Sequence, residues 1–223
     1  MKEKKAVIFD VDGLLLNTEF IWLDCWMQVG EDHNIPEFGP LFHKAVGTTG
    51  KTIEDMLDRE LSYVPENERR QLMDDVRKYG SRVVNDKLEK MAGADVLLDY
   101  LDEKRYRNAV ATTTSREMTE YRLKKMGIYD RFEYVLCGDE VINRKPDPEI
   151  YQKVLAALDI RPQDALVLED TCYGVEAASR AGCDVIMVPS INPPTDAEIR
   201  RAFAIVRDLH EVMDLMEKTM IRI

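Results

Sequence analysis

The residues able to do chemistry in this chain are carboxylates, one lysine and one threonine, each following an apolar run. Asp10-Val-Asp12-Gly13 sets two carboxylates two positions apart, ahead of a glycine that permits a sharp turn. One carboxylate can attack or bind metal while the other moves protons. The same string also serves as an ordinary strand-end turn. Thr112 ends Asn108-Ala-Val-Ala-Thr112, where its hydroxyl and the backbone N–H of Thr113 can donate to a phosphate oxygen. Its bland alternative is a helix cap, because Thr114 and Ser115 open a helical pattern. Lys145 lies in Asn143-Arg-Lys-Pro-Asp-Pro148, where two prolines stiffen the loop and hold its ammonium in place. Otherwise it is an exposed turn lysine, as most lysines are. Glu169-Asp170 follows Ala165-Leu-Val-Leu168 and suits a hard cation, with Mg²⁺ expected. Nucleophile, acid/base, hydroxyl, fixed cation and metal carboxylates are together the parts that phosphoryl transfer requires. Four crowded carboxylates should also repel one another and raise at least one pKa.

Short β-branched runs predict buried strands at Lys5–Asp10, Asn108–Thr112, Tyr134–Leu136, Ala165–Leu168 and Val185–Val188. Helical patterns lie between them, at Ala94–Lys104, Arg116–Met126, Glu149–Leu158 and Tyr173–Ala181. Alternating strands and helices predict a parallel sheet covered on both faces, which binds ligands at the carboxyl ends of its strands. Small residues at Gly174, Ala177 and Ala178 should let one helix pack close. From about Thr18 to Met91 only helical periodicity appears: Phe20–Val29, then Ile53, Met56 and Leu57, then Leu72, Val76, Tyr79 and Val83. This predicts an all-α insert at 18–91 within an α/β core of 1–17 and 92–223, with hinge crossings near Leu14–Asn17 and Glu89–Gly93.

Composition narrows the partners. The chain has 223 residues, with 45 % hydrophobic and 33 % charged, as in ordinary globular proteins. Acidic residues outnumber basic ones by 42 to 31, and the net charge of −11 with no basic patch argues against nucleic acid and anionic membranes. Cys25, Cys137, Cys172 and Cys183 lack metal-site spacing and read as buried free thiols of a reducing compartment. The N-terminus lacks signal-peptide features, and no segment approaches the roughly 20 apolar residues of a membrane span. A cytoplasmic monomer acting on a small phosphorylated metabolite is expected.

Four segments together carry a resemblance. Phe9-Asp-Val-Asp-Gly-Leu-Leu-Leu-Asn-Thr-Glu19, Val110-Ala-Thr-Thr-Thr114, Lys145-Pro-Asp-Pro-Glu-Ile-Tyr151 and Leu168-Glu-Asp-Thr-Cys-Tyr-Gly-Val-Glu-Ala177 resemble the four motifs of haloacid dehalogenase-like (HAD) hydrolases. The chain is similar to their β-phosphoglucomutase-like phosphatase branch. The resemblance implies an α/β fold, a Rossmann-like doubly wound parallel sheet core with an inserted all-α helical cap domain. It also implies roles: Asp10 as nucleophile and metal ligand, and Asp12 as proton donor, then base, with its backbone carbonyl on the metal. Thr112 and Lys145 would hold the phosphoryl group, and Asp170 with Glu169 would complete an Mg²⁺ site. Thr113, Lys51 and Thr18 are the candidate substrate-binding residues. Some positions depart from the pattern. Asn17 replaces an Asp, Arg144 a small residue, and Trp22 and Gly50 stand where the mutase has a histidine and a phosphate-gripping arginine. The last two argue against a mutase.

Rival readings fare worse. Gly47-Thr-Thr-Gly-Lys-Thr52 lacks the first glycine of a P-loop, since Ala45 stands there, and no strand precedes it. A receiver-like phosphoacceptor would lack the long insert after the first strand. A dehalogenase would not need Asp12, and a phosphonate-cleaving enzyme would need a cap lysine, for which Lys51 is the nearest candidate. In the insert Thr48, Thr49 and Lys51 offer donors and one charge, too little to name a substrate.

Overall fold

The computed structural model describes residues 4–48 and 50–220, which leaves Thr49 outside the described residues. The chain divides into two compact units, Met1–Asn17 with Glu89–Ile223, and Thr18–Leu88. The second unit is helical: α1 (Thr18–Asp32), α2 (Phe42–Ala45), α3 (Lys51–Glu60) and α4 (Glu66–Asp86). The first unit carries strands β1 (Ala6–Phe9), β2 (Arg107–Ala111), β3 (Tyr134–Leu136), β4 (Ala165–Glu169), β5 (Asp184–Met187) and β6 (Ala204–Ile205). Its helices are α5 (Ala94–Glu103), α6 (Arg116–Lys125), α7 (Glu149–Ala157), α8 (Cys172–Arg180), α9 (Asp196–Arg201) and α10 (Leu209–Met220).

The strands form one parallel sheet in the order β3-β2-β1-β4-β5-β6. Parallel strands are buried on both faces, which is why their sequences are unbroken apolar runs rather than alternating ones. Ile8, Ala109, Val167 and Val185 share a core cluster with Ile150, Tyr151 and Val154 of α7 and Val175 and Ala178 of α8. Val7, Phe9, Val110 and Leu166, one position along, are also fully buried. Phe9 meets Phe132 edge-on at 5.7 Å, while Leu97, Leu101, Val212 and Met216 of α5 and α10 are buried as well. Each such side chain contributes about 1.5–3 kcal/mol of burial free energy. The chain winds outward from β1 through β2 and β3, then the other way through β4, β5 and β6. The crevice at the carboxyl ends of β1 and β4 is therefore the topological switch point. β6, with two half-buried residues, is too short to give a sequence signal.

In α4 the buried stripe is Leu72, Val76, Gly80 and Val84, whereas sequence spacing pointed to Leu72, Val76, Tyr79 and Val83. Tyr79 is 37 % exposed. The reason is a close approach: a Cβ on Gly80 would lie 2.0 Å from the Trp22 ring, so only glycine admits the indole here. Trp22 thereby joins Ile21, Cys25 and Val84 in the α1–α4 core.

The two crossings are paired backbone within the α/β unit. Asn17 N donates to Glu89 O at 3.1 Å, and Met91 N to Leu15 O at 2.8 Å. Asn17 Oδ1 accepts from Glu89 N at 2.9 Å, a bond that the Asp usual at this position could equally accept. These bonds tie Glu89–Met91 to the sheet unit rather than to the helical one. Cys25, Cys137 and Cys183 are buried free thiols, but Cys172 is exposed on the first turn of α8. No helix among the described residues is long and apolar enough to cross a membrane.

Candidate active site

Strand register brings the chemistry together. Phe9 lies opposite Val110 on one side and Leu168 on the other. The residues that follow, Asp10, Ala111-Thr112 and Glu169-Asp170, therefore leave the sheet side by side. Asp10 is 6 % exposed, Glu169 0 % and Asp170 2 %. One carboxylate oxygen of each lies within 4.8 Å of the others.

Lys145 is the charge at the centre. Its Nζ donates to Asp10 Oδ1 at 2.6 Å, Ala111 O at 2.9 Å and Glu169 Oε1 at 2.5 Å. The prolines are only part of what holds its loop. Glu149, at the start of α7, accepts from the backbone of Ile142 at 2.9 Å and Asn143 at 2.8 Å. With Lys153 beside it and these two amides, its carboxyl is held down at about 2. Burial would lower the Lys145 pKa, but Asp10 and Glu169 outweigh it and raise it, so the amine stays cationic.

Burial also pushes the Asp10 carboxyl up to about 7, against the pull of Lys145 and with Glu169 and Asp12 adding repulsion. Such a carboxyl is only partly ionised at neutral pH, and a second positive charge would relieve it. The donors are all oxygens, which suits a hard divalent cation. Asp10, Asp170 and Glu169 each offer an oxygen to such a cation. Asp170 is oriented by Ser190 Oγ, which donates to its Oδ2 at 2.6 Å.

Glu169 is otherwise engaged. Its Oε1 accepts from Lys145 and from Tyr151 Oη. Its Oε2 accepts from Asp170 N, Thr171 N and Thr171 Oγ1 at 3.2–3.4 Å. Five donors saturate a carboxylate. Glu169 as placed anchors Lys145 and the entry to α8, and would reach a cation only by releasing one of them. Burial raises the Tyr151 pKa, with Glu169 and Asp10 adding to the effect, so its hydroxyl remains a donor. Gly174 makes the room, since a Cβ there would lie 1.8 Å from Glu169 Cδ.

Asp12 stands in a second network. Gly13 turns the chain at φ 85°, and its N donates to Leu16 O at 2.8 Å. Asp12 Oδ2 accepts from Thr114 Oγ1 at 2.7 Å and from Thr112 Oγ1 at 3.3 Å, while Oδ1 accepts from Arg122 Nη1 at 2.9 Å. Thr112 is fully buried and accepts from Thr114 N at 3.1 Å. It is not the cap of α6. Ser115 takes that position, and the Arg116 amide is received by Asp139. To donate to a phosphoryl oxygen, Thr112 would turn its single proton away from Asp12.

The structure thus gathers Asp10, Asp12, Thr112, Lys145, Glu169 and Asp170, with half-buried Thr113 alongside. Lys51, exposed at the start of α3, and Thr18, fully buried at the start of α1, belong to the helical unit. Sequence reasoning passed over Arg122, Tyr151, Ser190 and Glu149. Arg122 carried a usable signal: with Thr119 and Leu123 it forms the i, i+3, i+4 stripe that α6 buries.

Comparison with known proteins identifies the family. The family described as haloacid dehalogenase-like hydrolase matches residues 7–188. A phosphorylated carbohydrates phosphatase of Thermotoga maritima is 30 % identical over 220 residues, 97 % of this chain and 100 % of that protein. A validoxylamine A 7′-phosphate phosphatase of Streptomyces hygroscopicus subsp. limoneus is 30 % identical over 209 residues, 93 % of this chain and 95 % of that one. The crystal structure of a candidate β-phosphoglucomutase of Thermotoga maritima superposes with a TM-score of 0.72 at 27 % identity, covering 96 % of this chain and 99 % of the other. The protein belongs to the haloacid dehalogenase-like hydrolase family.

Proposed function

We propose that the protein is a Mg²⁺-dependent phosphomonoester hydrolase that acts on a small phosphorylated metabolite, a sugar phosphate or similar, through an aspartyl-phosphate on Asp10. The observation that carries this reading is the pairing of Lys145 with Asp10 at the switch point, with Asp12 two residues on in its own donor network. Asp10 attacks phosphorus, the bond to the leaving oxygen breaks, and Asp12 delivers its proton to that oxygen. Asp12, now a carboxylate, takes a proton from water as the water oxygen attacks phosphorus. The Asp10–phosphorus bond breaks and inorganic phosphate leaves. Lys145 offsets negative charge on the phosphoryl group, and Thr112 and the Thr113 amide donate to its oxygens. Asp10, Asp170 and the Asp12 main-chain carbonyl would hold the cation. Bound there, it would keep Asp10 ionised and neutralise phosphoryl charge. Lys51 and Thr18 are proposed to contribute to substrate selection.

The test is release of inorganic phosphate from p-nitrophenyl phosphate and a panel of sugar phosphates, before and after chelation. Activity should vanish with EDTA, return with Mg²⁺ and be inhibited by Ca²⁺, whose looser coordination would misplace Asp10. Full activity after exhaustive chelation would refute the metal assignment. A hexose-phosphate mutase is the second reading, favoured by the 27 % identical Thermotoga structure. Against it, Gly50 carries no side chain to grip a second phosphate, and Trp22 is packed on Gly80. Incubation with β-glucose 1-phosphate and catalytic bisphosphate separates the two. Phosphate release without isomerisation supports the phosphatase, and rapid isomerisation with little release supports the mutase.

A further inference from the structure

Arg122 projects from the buried face of α6 and is 6 % exposed. Its Nη1 meets Asp12 Oδ1 at 2.9 Å, and its Nε finds no acceptor among the described residues. A buried guanidinium with an unfilled donor is a poor stability device. An apolar side chain of similar size commonly does as well or better. The feature that needs an arginine here is the Asp12 carboxylate.

Guanidinium carries donors only and stays charged at any working pH. The Asp12 oxygen facing it, Oδ1, must therefore remain an acceptor, and a proton on that oxygen would point at another proton. Oδ2 instead faces the hydroxyls of Thr114 and Thr112, which both donate and accept. We propose that Arg122 is a positioning residue for proton transfer: it confines the exchangeable proton of Asp12 to Oδ2 and fixes the orientation of that oxygen. This deepens the phosphatase reading and rests on it. In the first half-reaction the Oδ2–H bond breaks as the leaving oxygen takes the proton and the phosphorus–oxygen bond opens. In the second, Oδ2 receives the proton of the attacking water. Through both, Oδ1 stays in its bond to Arg122.

The inference predicts a dependence on the leaving group. p-Nitrophenolate leaves without protonation, whereas an alkoxide does not. The experiment compares kcat/KM, which reports binding through phosphorus–oxygen cleavage, for p-nitrophenyl phosphate and for the best-hydrolysed alkyl phosphate of the panel. Arg122→Gln should lower the alkyl value on the order of 100-fold, within the usual range for general acid catalysis, and the p-nitrophenyl value by less than about threefold. Arg122→Lys, a donor-only cation, should recover part of the loss and stands in if the Gln variant fails to fold. Arg122→Gln combined with Asp12→Asn should be no worse on alkyl phosphate than Asp12→Asn alone. Equal losses on both substrates, no loss, or full additivity in the double variant would overturn the inference. Absence of phosphate release by the wild type from either substrate would instead overturn the phosphatase reading itself.

Discussion

Replacing Lys145 by Met tests the architecture of the site apart from its chemistry. The side chains are similar in length, so packing around the stem is largely kept, while three hydrogen bonds and the cation that meets both Asp10 and Glu169 are lost. Breaking a buried pair by removing one partner typically costs about 3–5 kcal/mol. In a domain of this size each kcal/mol moves Tm by about 2–4 °C, so a fall of roughly 6–20 °C follows near neutral pH. The sign of its pH dependence is fixed. Asp10 is already raised to about 7 with Lys145 present, and losing the cation raises it further. A carboxyl whose folded pKa lies above its unfolded value destabilises the fold above the unfolded pKa. That cost grows as pH rises towards the folded value and is relieved by protonation as pH falls. The Tm deficit of Lys145→Met should thus be larger at pH 8 than at pH 5, and differential scanning fluorimetry across that range reads it directly. A deficit of under 2 °C, or one that does not change with pH, would refute the coupling of Lys145 to buried carboxylates.

Two further perturbations probe its support. Tyr151→Phe removes the hydroxyl donor to Glu169 and should cost about 1.5–3 kcal/mol in urea unfolding, as expected for a bond to a charged group. It should also lower kcat, because Glu169 anchors Lys145, and unchanged turnover would contradict that link. Gly174→Ala should displace the Glu169 carboxylate, since its Cβ would lie 1.8 Å from Cδ, and should destabilise by at least the 1–3 kcal/mol usual for overpacking. A variant as stable and active as the wild type would show that the approach of α8 to Glu169 is looser than described.

Much of this was legible in sequence because the physics is local. Parallel strands buried on both faces leave apolar runs that stop where polarity begins, so Asp10, Thr112 and Glu169-Asp170 announced themselves as strand ends. Residues that act across the fold did not. Arg122 sits in a helix of charged residues and looks like a solvated cation until its stripe-mates Thr119 and Leu123 are seen to be buried. Tyr151 lies within the third motif, yet only the packing of α7 on the sheet turns its hydroxyl to Glu169. Glycine carries no apolar signal, so the spacing in α4 points to Tyr79 and Val83, although Gly80 is where the Trp22 ring comes closest. Glu169 reads as a metal ligand from its place in an acidic pair at a strand end, and its five donors emerge only in three dimensions.

The central claim is covalent catalysis by Asp10, and one measurement meets it most directly. Enzyme quenched in acid during turnover and digested for mass spectrometry should carry a hydroxylamine-labile phosphoryl group on the peptide containing Asp10. Asp10→Asn should fold, carry no such group and release no phosphate, because an amide cannot form the acyl phosphate. Sustained phosphate release by Asp10→Asn, or a phosphoryl group trapped on any other residue, would contradict the account.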